Sequence, residues 1–382
     1  MRRGTYVRWG VPIAAAAVIG AAIGAGPVIA AVSGDPVLPE RSAQQLLADA
    51  AAAAEKSEGM PPMSGTVQQT ASLGLPALPD TGDGSPLSLL SGSHEVKLWY
   101  GDEDKMRLAL PTQFNETNVI VNGDQVWYWD SDSNTATRVK LQGEHPREGL
   151  PTAAPTVMTP DQAAQRLLEQ VDESTTISVS NTAEVAGRPA YQLTLTPKDP
   201  ASLVQEVRLA IDGEHYVPLR VQVFAKGSAE PAFQVGFTQL TFTPPAEENF
   251  AFTPPAGAKV EEKTFGPSDA RQEHAEEARR TAGDLKVRGE GWTAVAVLPA
   301  DAAMPQGDTD GAPGAPGAPG GEGADARALF DNVLKTATPV SGTWGSGKMI
   351  RTKLVTVLLT DDGRLLVGAV TPEEIMKAAG VR

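Results

Sequence analysis

The chain has 382 residues, 41% of them hydrophobic, with 38 glycines, 31 prolines and no cysteine; that is enough for a real core, two domains and many turns. Its 47 acidic residues outweigh 32 basic ones for a formal charge of −15, which argues against nucleic acid, since that partner needs a basic surface to displace counterions. The lack of cysteine removes disulfides, thiolate catalysis, thiolate metal sites and lipidation of an N-terminal cysteine.

Arg2, Arg3 and Arg8 precede a charge-free stretch from Trp9 to Gly34. A cationic start before a long apolar run keeps the basic end in the cytosol and sends the remainder outward. The run exceeds the ~7–15 residues of a signal core and reaches the ~20 that span a bilayer. Val28-Ile29-Ala30 offers a site for a signal peptidase. Residues 1–34 are therefore expected to anchor the protein in the plasma membrane or, alternatively, to be cleaved as a signal peptide. Either way the remainder is extracytoplasmic.

Ser42 is placed to cap an Ala-rich helix to about Lys56, with an apolar stripe of Leu46, Leu47, Ala50 and Ala54. Strands are expected at about 65–73, 93–100 and 105–110, the first two separated by a Pro/Gly/Ser-rich insertion, Gly74–Gly92. Val119–Val121 leads into Asn122-Gly123, a strong hairpin signal, and strands 125–130 and 135–141 follow. Thr159, Pro160 and Gln162 mark the start of a helix to about Val171. Five more strands are expected near 176–185, 190–196, 204–212, 217–225 and 233–242. Residues 42–262 form one expected domain and 263–290 a charged linking helix. A small domain, 291–382, is interrupted by a Gly/Ala/Pro-rich linker over 301–324. Within it, strands are expected at 292–298, 349–360 and 364–370, with helices at 326–336 and 372–379.

The expected fold class is α+β: an open, strongly curved antiparallel sheet, a half-barrel covered by helices, followed by the small α+β domain. Along these strands apolar and polar residues alternate, so the apolar ones share one face. If helices leave part of that face uncovered, it forms a greasy cavity. Candidate walls are Val96, Leu98, Tyr100, Met106, Leu108, Leu110, Trp127, Trp129, Tyr191, Leu193, Leu195, Val207, Leu209, Ile211, Leu219, Val221, Phe233, Val235 and Phe237. Buried aromatics more often simply fill a core. In the 125–130 hairpin, Val126 and Tyr128 form an inward set as plausible as Trp127 and Trp129.

No constellation supports catalysis. Gly342-Thr-Trp-Gly-Ser-Gly347-Lys348 fits the glycine-rich phosphate-loop spacing. Met349 stands where a magnesium-binding Ser or Thr belongs, and a strand-like run follows where a helix is needed. A glycine-rich turn is the better reading. His94, His145, His215 and His274 have no metal-ligand spacing, and the acidic pairs Asp102/Glu103 and Asp130/Asp132 fall in turns. There is no G-x-S-x-G elbow. No cofactor and no metal are expected.

The hairpin Val121-Asn-Gly-Asp-Gln-Val-Trp127-Tyr128-Trp129-Asp130, continuing through Ala136-Thr137-Arg138-Val139, resembles the central hairpin of the LolA lipoprotein-carrier family. Gly187-Arg188-Pro189-Ala190-Tyr191, Leu193–Pro197, Ile211-Asp212, Pro218-Leu219-Arg220 and Phe250–Pro255 follow in the order of that family and of the related periplasmic sensor RseB. The resemblance covers about 42–260. It implies a curved sheet around a cavity for acyl chains, and a non-enzymatic protein that binds lipid or lipoprotein. The alternative it implies is an RseB-like envelope-stress regulator acting on a membrane partner such as an anti-sigma factor. The long insertion, the anchor and the extra C-terminal part depart from a simple carrier. The Ala/Gly/Pro-rich composition suits an actinobacterial origin.

Overall fold

The computed structural model describes residues 37–46, 49–50, 60–74, 91–141, 173–265, 286–300 and 335–380. The expected anchor, most of the 74–92 insertion, the helix after Thr159, the charged stretch 267–285, the 301–324 linker and nearly all of the 326–336 helix lie outside them. No described helix is long and apolar enough to cross a membrane.

The described residues of the first part are mostly strand: β1 (Met63–Ser72), β2 (Ser91–Asp102), β3 (Lys105–Pro111), β4 (Glu116–Asn122), β5 (Gln125–Asp130) and β6 (Thr135–Leu141). β7 (Thr175–Val185), β8 (Arg188–Pro197), β9 (Val204–Asp212), β10 (Pro218–Ala225), β11 (Pro231–Thr241) and β12 (Lys259–Phe265) complete it. They form one sheet in the order β12-β6-β5-β4-β3-β2-β1-β11-β10-β9-β8-β7. The pairs are antiparallel except β12 on β6, which is parallel. The sheet is open, yet curls so far that β7 comes within 8 Å (Cα to Cα) of β11. This is the half-barrel expected from the alternation.

Turn chemistry sets the register. The β4–β5 hairpin forms, but Asn122 pairs with Gln125 and the two loop residues are Gly123 and Asp124. Gly123, at φ 64, supplies the left-handed first loop position that a two-residue hairpin demands. At the other end of the chain, Ser42 does start a helix. Its Oγ accepts from the Gln45 N–H while Gln45 Oε1 accepts from the Ser42 N–H, a reciprocal cap.

A second sheet follows, in the order β13-β14-β18-β17-β16-β15. Its strands are β13 (Lys286–Arg288), β14 (Val295–Pro299), β15 (Thr338–Gly342), β16 (Gly345–Arg351), β17 (Thr356–Thr360) and β18 (Arg364–Gly368). One face, with Met349, Leu358, Leu366, Val295 and Val297, packs under helix α1 (Pro372–Gly380) through Ile375, Ala378 and Ala379. Residues 349–360, read from sequence as one strand, are two strands around a turn. There the Thr352 Oγ1 accepts from the Leu354 and Val355 N–H groups. β13 and the end of β12 lie within the stretch read as a linking helix.

The glycine-rich Gly342–Lys348 segment is the β15–β16 hairpin, as its strand-like continuation implied. Gly347 sits so close to β17 that a Cβ there would lie 2.3 Å from the Leu359 carbonyl oxygen. Gly347→Ala is therefore expected to cost ~1–3 kcal/mol by overpacking. Urea unfolding of the variant checks this, and an unchanged midpoint would contradict it.

Candidate functional site

The register assembles one apolar face. Leu98 stands opposite Leu108 and Tyr100 opposite Met106. Leu108 and Met106 lead to Val119 and Val121, and these to Tyr128 and Val126. In the other direction Val96 meets Val67, which meets Phe237. Val235 and Phe233 continue to Val221 and Val223, then to Leu209 and Val207. Leu193, Leu195 and Tyr191 come next, opposite Leu209, Val207 and Ile211. Leu110 and Leu219 share this face by alternation with Leu108 and Val221.

Trp127 and Trp129 do not. They stand opposite Ile120 and Asn118, on the reverse face, so the inward pair in this hairpin is Val126 and Tyr128. The hairpin is apolar on both sides, which is why alternation alone left the choice open. The reverse face is closed by the segment after β11. The Phe252 ring lies 5.5 Å from Trp127 and 6.1 Å from Trp129 between centroids. The Arg107 guanidinium lies 5.4 Å from the centre of the Trp99 ring, and its Nε donates to Asn118 Oδ1. Lys105 Nζ pairs with Glu247 at 2.6 Å, and Asn122 Nδ2 donates to the Phe250 carbonyl.

Burial divides the apolar face into a closed part and a more open one. Where the sheet curls most, across β8 to β11, Leu193, Leu195, Leu209, Leu219, Val221 and Val235 are fully buried in one cluster that also takes Leu46. Leu38 and Pro39 sit at the same end: Leu38 exchanges hydrogen bonds with Asn181, and the Tyr191 hydroxyl donates to the Pro39 carbonyl. Over β3 to β5, by contrast, Leu108, Leu110, Val119 and Tyr128 are only half-buried and adjoin one another. Phe233, on β11, is half-buried as well. Val96, Leu98, Tyr100, Met106, Val207, Ile211 and Phe237 belong to the buried cluster.

Electrostatics on this face are slight. Burial, with smaller contributions from Glu103 and Asp102, pushes the Tyr100 phenol up to about 12. Burial and then Asp130 raise Tyr128, against a hydrogen bond with Thr117. For Tyr100 the sign is simple. A phenol whose folded value lies above its unfolded value of ~10 stabilises the fold below pH ~10, and that contribution is lost as pH rises toward 12. Tyr100→Phe is expected to flatten the fall in stability across this window. An identical alkaline profile in denaturant titrations of both proteins would refute the assignment.

The acidic turns are spent locally: Asp102 accepts from the Asp104 N–H, and Asp130 accepts from Asp132 and Ser133. His94 lies against the Ser91 carbonyl and His215 against Phe242, while His145 and His274 lie outside the described residues. No group of three or more potential metal ligands occurs among the described residues.

The second sheet docks on the first through its backbone. Lys353 N–H donates to Leu73, Leu203 N–H to Ala369 and Thr371 N–H to Ala201, at 2.7–2.8 Å. Ser202 and Val370 form a β-bridge, and Trp292 Nε1 donates to Thr175 Oγ1. Leu354, from the β16–β17 turn, is 8% exposed because it enters the hydrophobic cluster of the first sheet. Sequence reasoning missed this residue, since nothing in a local pattern marks a side chain that crosses between sheets.

Residues 110–258 match the family model described as the MucB/RseB N-terminal domain. The resemblance to RseB read from the sequence is thus borne out over this stretch, which is less than half of the chain. Among solved structures, MucB in complex with MucA(peri) is 16% identical over 88% of this chain and 97% of that one, with a TM-score of 0.39. The MucA/MucB complex of Pseudomonas aeruginosa is 15% identical over 87% and 96%, with a TM-score of 0.37. A LolA superfamily protein of Nitrosomonas europaea is 10% identical over 56% and 99%, with a TM-score of 0.21. No curated protein matches the chain.

Proposed function

We propose that this protein is a non-catalytic, extracytoplasmic binding protein. It holds acyl chains of a lipid or lipoprotein against its apolar face and passes on their presence through the second sheet to a membrane partner. Burial of each methylene would contribute ~0.8 kcal/mol. The half-buried patch of Leu108, Leu110, Val119 and Tyr128, with Phe233, supports the acyl site, because these walls keep area to bury while the others are already closed. The observation that carries the regulatory part is Leu354. A side chain of the second sheet is a member of the first sheet's core, so a change in that core reaches the second sheet directly. In this reading residues 42–262 bind, 291–382 engage the partner, and the N-terminal segment keeps both at the plasma membrane. An RseB-like regulator acting on an anti-sigma factor fits this arrangement, and a free carrier would have no use for the second sheet.

Mass spectrometry of lipid extracted from the purified full-length protein, with pull-down of membrane proteins by wild type and Leu354→Asp, tests both halves. Bound acyl species and a partner lost in the variant are expected. Absence of lipid together with equal capture by the two proteins would overturn the reading.

A further inference from the structure

A cleft of about 440 Å³ opens where the two sheets meet, between the β10–β11 turn of the first and the β16–β17 turn of the second. In a chain with a net charge of −15 its described lining holds three cations, Lys226, Arg351 and Lys353, and no carboxylate. Two of the three are held in place by uncharged groups. Lys226 Nζ donates to the Asp199 and Pro200 carbonyls at 3.4 and 2.9 Å, and Lys353 Nζ donates to Ser72 Oγ at 2.9 Å. An ammonium has three donors, so each keeps at least one to offer. Glu373, beyond the cleft, is held below the usual carboxylate range first by a backbone hydrogen bond and by Thr371, with Arg351 the smallest contributor. The described lining of the cleft therefore carries positive charge from both sheets and no carboxylate of its own, although Glu373 outside it feels the charge of Arg351. Beside it, Gly227 at φ 78 faces open space, so a ligand can approach the turn.

We propose that this cleft binds a phosphate-type oxyanion, held between the sheets by Lys226 on one side and Arg351 and Lys353 on the other. Like charges across a junction repel, and an anion between them replaces that repulsion with attraction from both sides. Lysine and arginine are the donors that phosphate oxygens take, arginine with two parallel bonds. Because the three side chains are exposed, binding is weak and falls steeply with salt. The site is separate from the acyl patch and does not depend on it. The same chemistry fits free phosphate and the phosphate of a lipid head group.

The test is isothermal titration of inorganic phosphate into the full-length protein, at ionic strength held constant with sodium chloride. Its second arm is co-sedimentation with phosphatidylcholine vesicles with or without phosphatidic acid. Wild type is expected to bind at least fivefold more tightly than a Lys226→Gln, Arg351→Gln, Lys353→Gln variant, and Lys353→Arg to retain binding. Binding of phosphate in solution names a free oxyanion as the source; retention only on phosphatidic acid vesicles names a head group. If the triple variant does not fold, Arg351→Gln alone must weaken binding. No binding of either probe, or equal binding by wild type and the variant that folds, overturns the proposal.

Discussion

Arg188→Ala is expected to destabilise the protein by about 3 kcal/mol, the lower end of the range for breaking a buried ion pair from one side. Arg188 opens β8 and Asp212 closes β9, so strand pairing brings them together at one corner of the sheet. Arg188 Nε reaches Asp212 Oδ1 at 2.5 Å and Nη2 reaches Oδ2 at 3.1 Å, while the Asp212 side chain is fully buried. Hydrogen bonding to Asp212, ahead of every other influence, holds the guanidinium above its usual range. Removing it leaves a buried carboxylate that still accepts from the Glu214 and His215 N–H groups, which is why the cost sits at the low end. The guanidinium also covers the Phe242 ring at 4.6 Å. The measurement is a urea midpoint at unchanged slope. Adding Asp212→Asn should recover part of the loss, because a neutral amide no longer strands a buried charge. A single-variant loss below ~1 kcal/mol would show that the pair is not buried in solution.

The second large effect separates closed core from open wall. Leu193→Ala, in the tightly curled part of the sheet, removes a side chain with no exposed area and is expected to cost ~2–5 kcal/mol through transfer and cavity terms. Added acyl ligand should recover little of that. Leu108→Ala, on the half-buried patch, is expected to cost less than half as much while weakening acyl binding severalfold. Parallel urea unfolding and titration with a fluorescent fatty acid distinguish the two. Equal stability losses would mean that the patch is ordinary core, and unchanged binding in Leu108→Ala would remove it from the site.

The fold was largely legible because its strands alternate. β2 from Val96, and β8 from Tyr191, show their buried face at every second residue, and their neighbours follow once turns such as that at Gly123 fix where the chain reverses. Two kinds of element escaped. β12, Lys-Val-Glu-Glu-Lys-Thr-Phe, carries charge on both sides, since an edge strand needs only backbone bonds and charge protects an edge from unwanted pairing. The turn inside 349–360 is set by the Thr352 hydroxyl and interrupts a β-branched run that reads as continuous. Candidate wall residues were legible as a face, because Leu98, Leu193 and Leu209 need only periodicity to be grouped. What the sequence could not supply was the side of the Trp127/Trp129 hairpin, decided by Phe252 more than a hundred residues later. Nor could it supply the degree of burial, which separates Leu108 from Leu193 although both alternate identically. Arg188 and Asp212 were noticed only as part of a resemblance, and their contact shows what they do: they tie β8 to β9.

The proposed acyl site rests on the half-buried apolar patch over β3 to β5. Equilibrium titration of delipidated full-length protein with a fluorescent triacylated lipopeptide tests this most directly, comparing wild type with Leu108→Asp. Saturable binding at one site per chain, reduced at least tenfold by the carboxylate, is the predicted result. Failure of the wild type to take up the probe, or equal uptake by the variant, would contradict it.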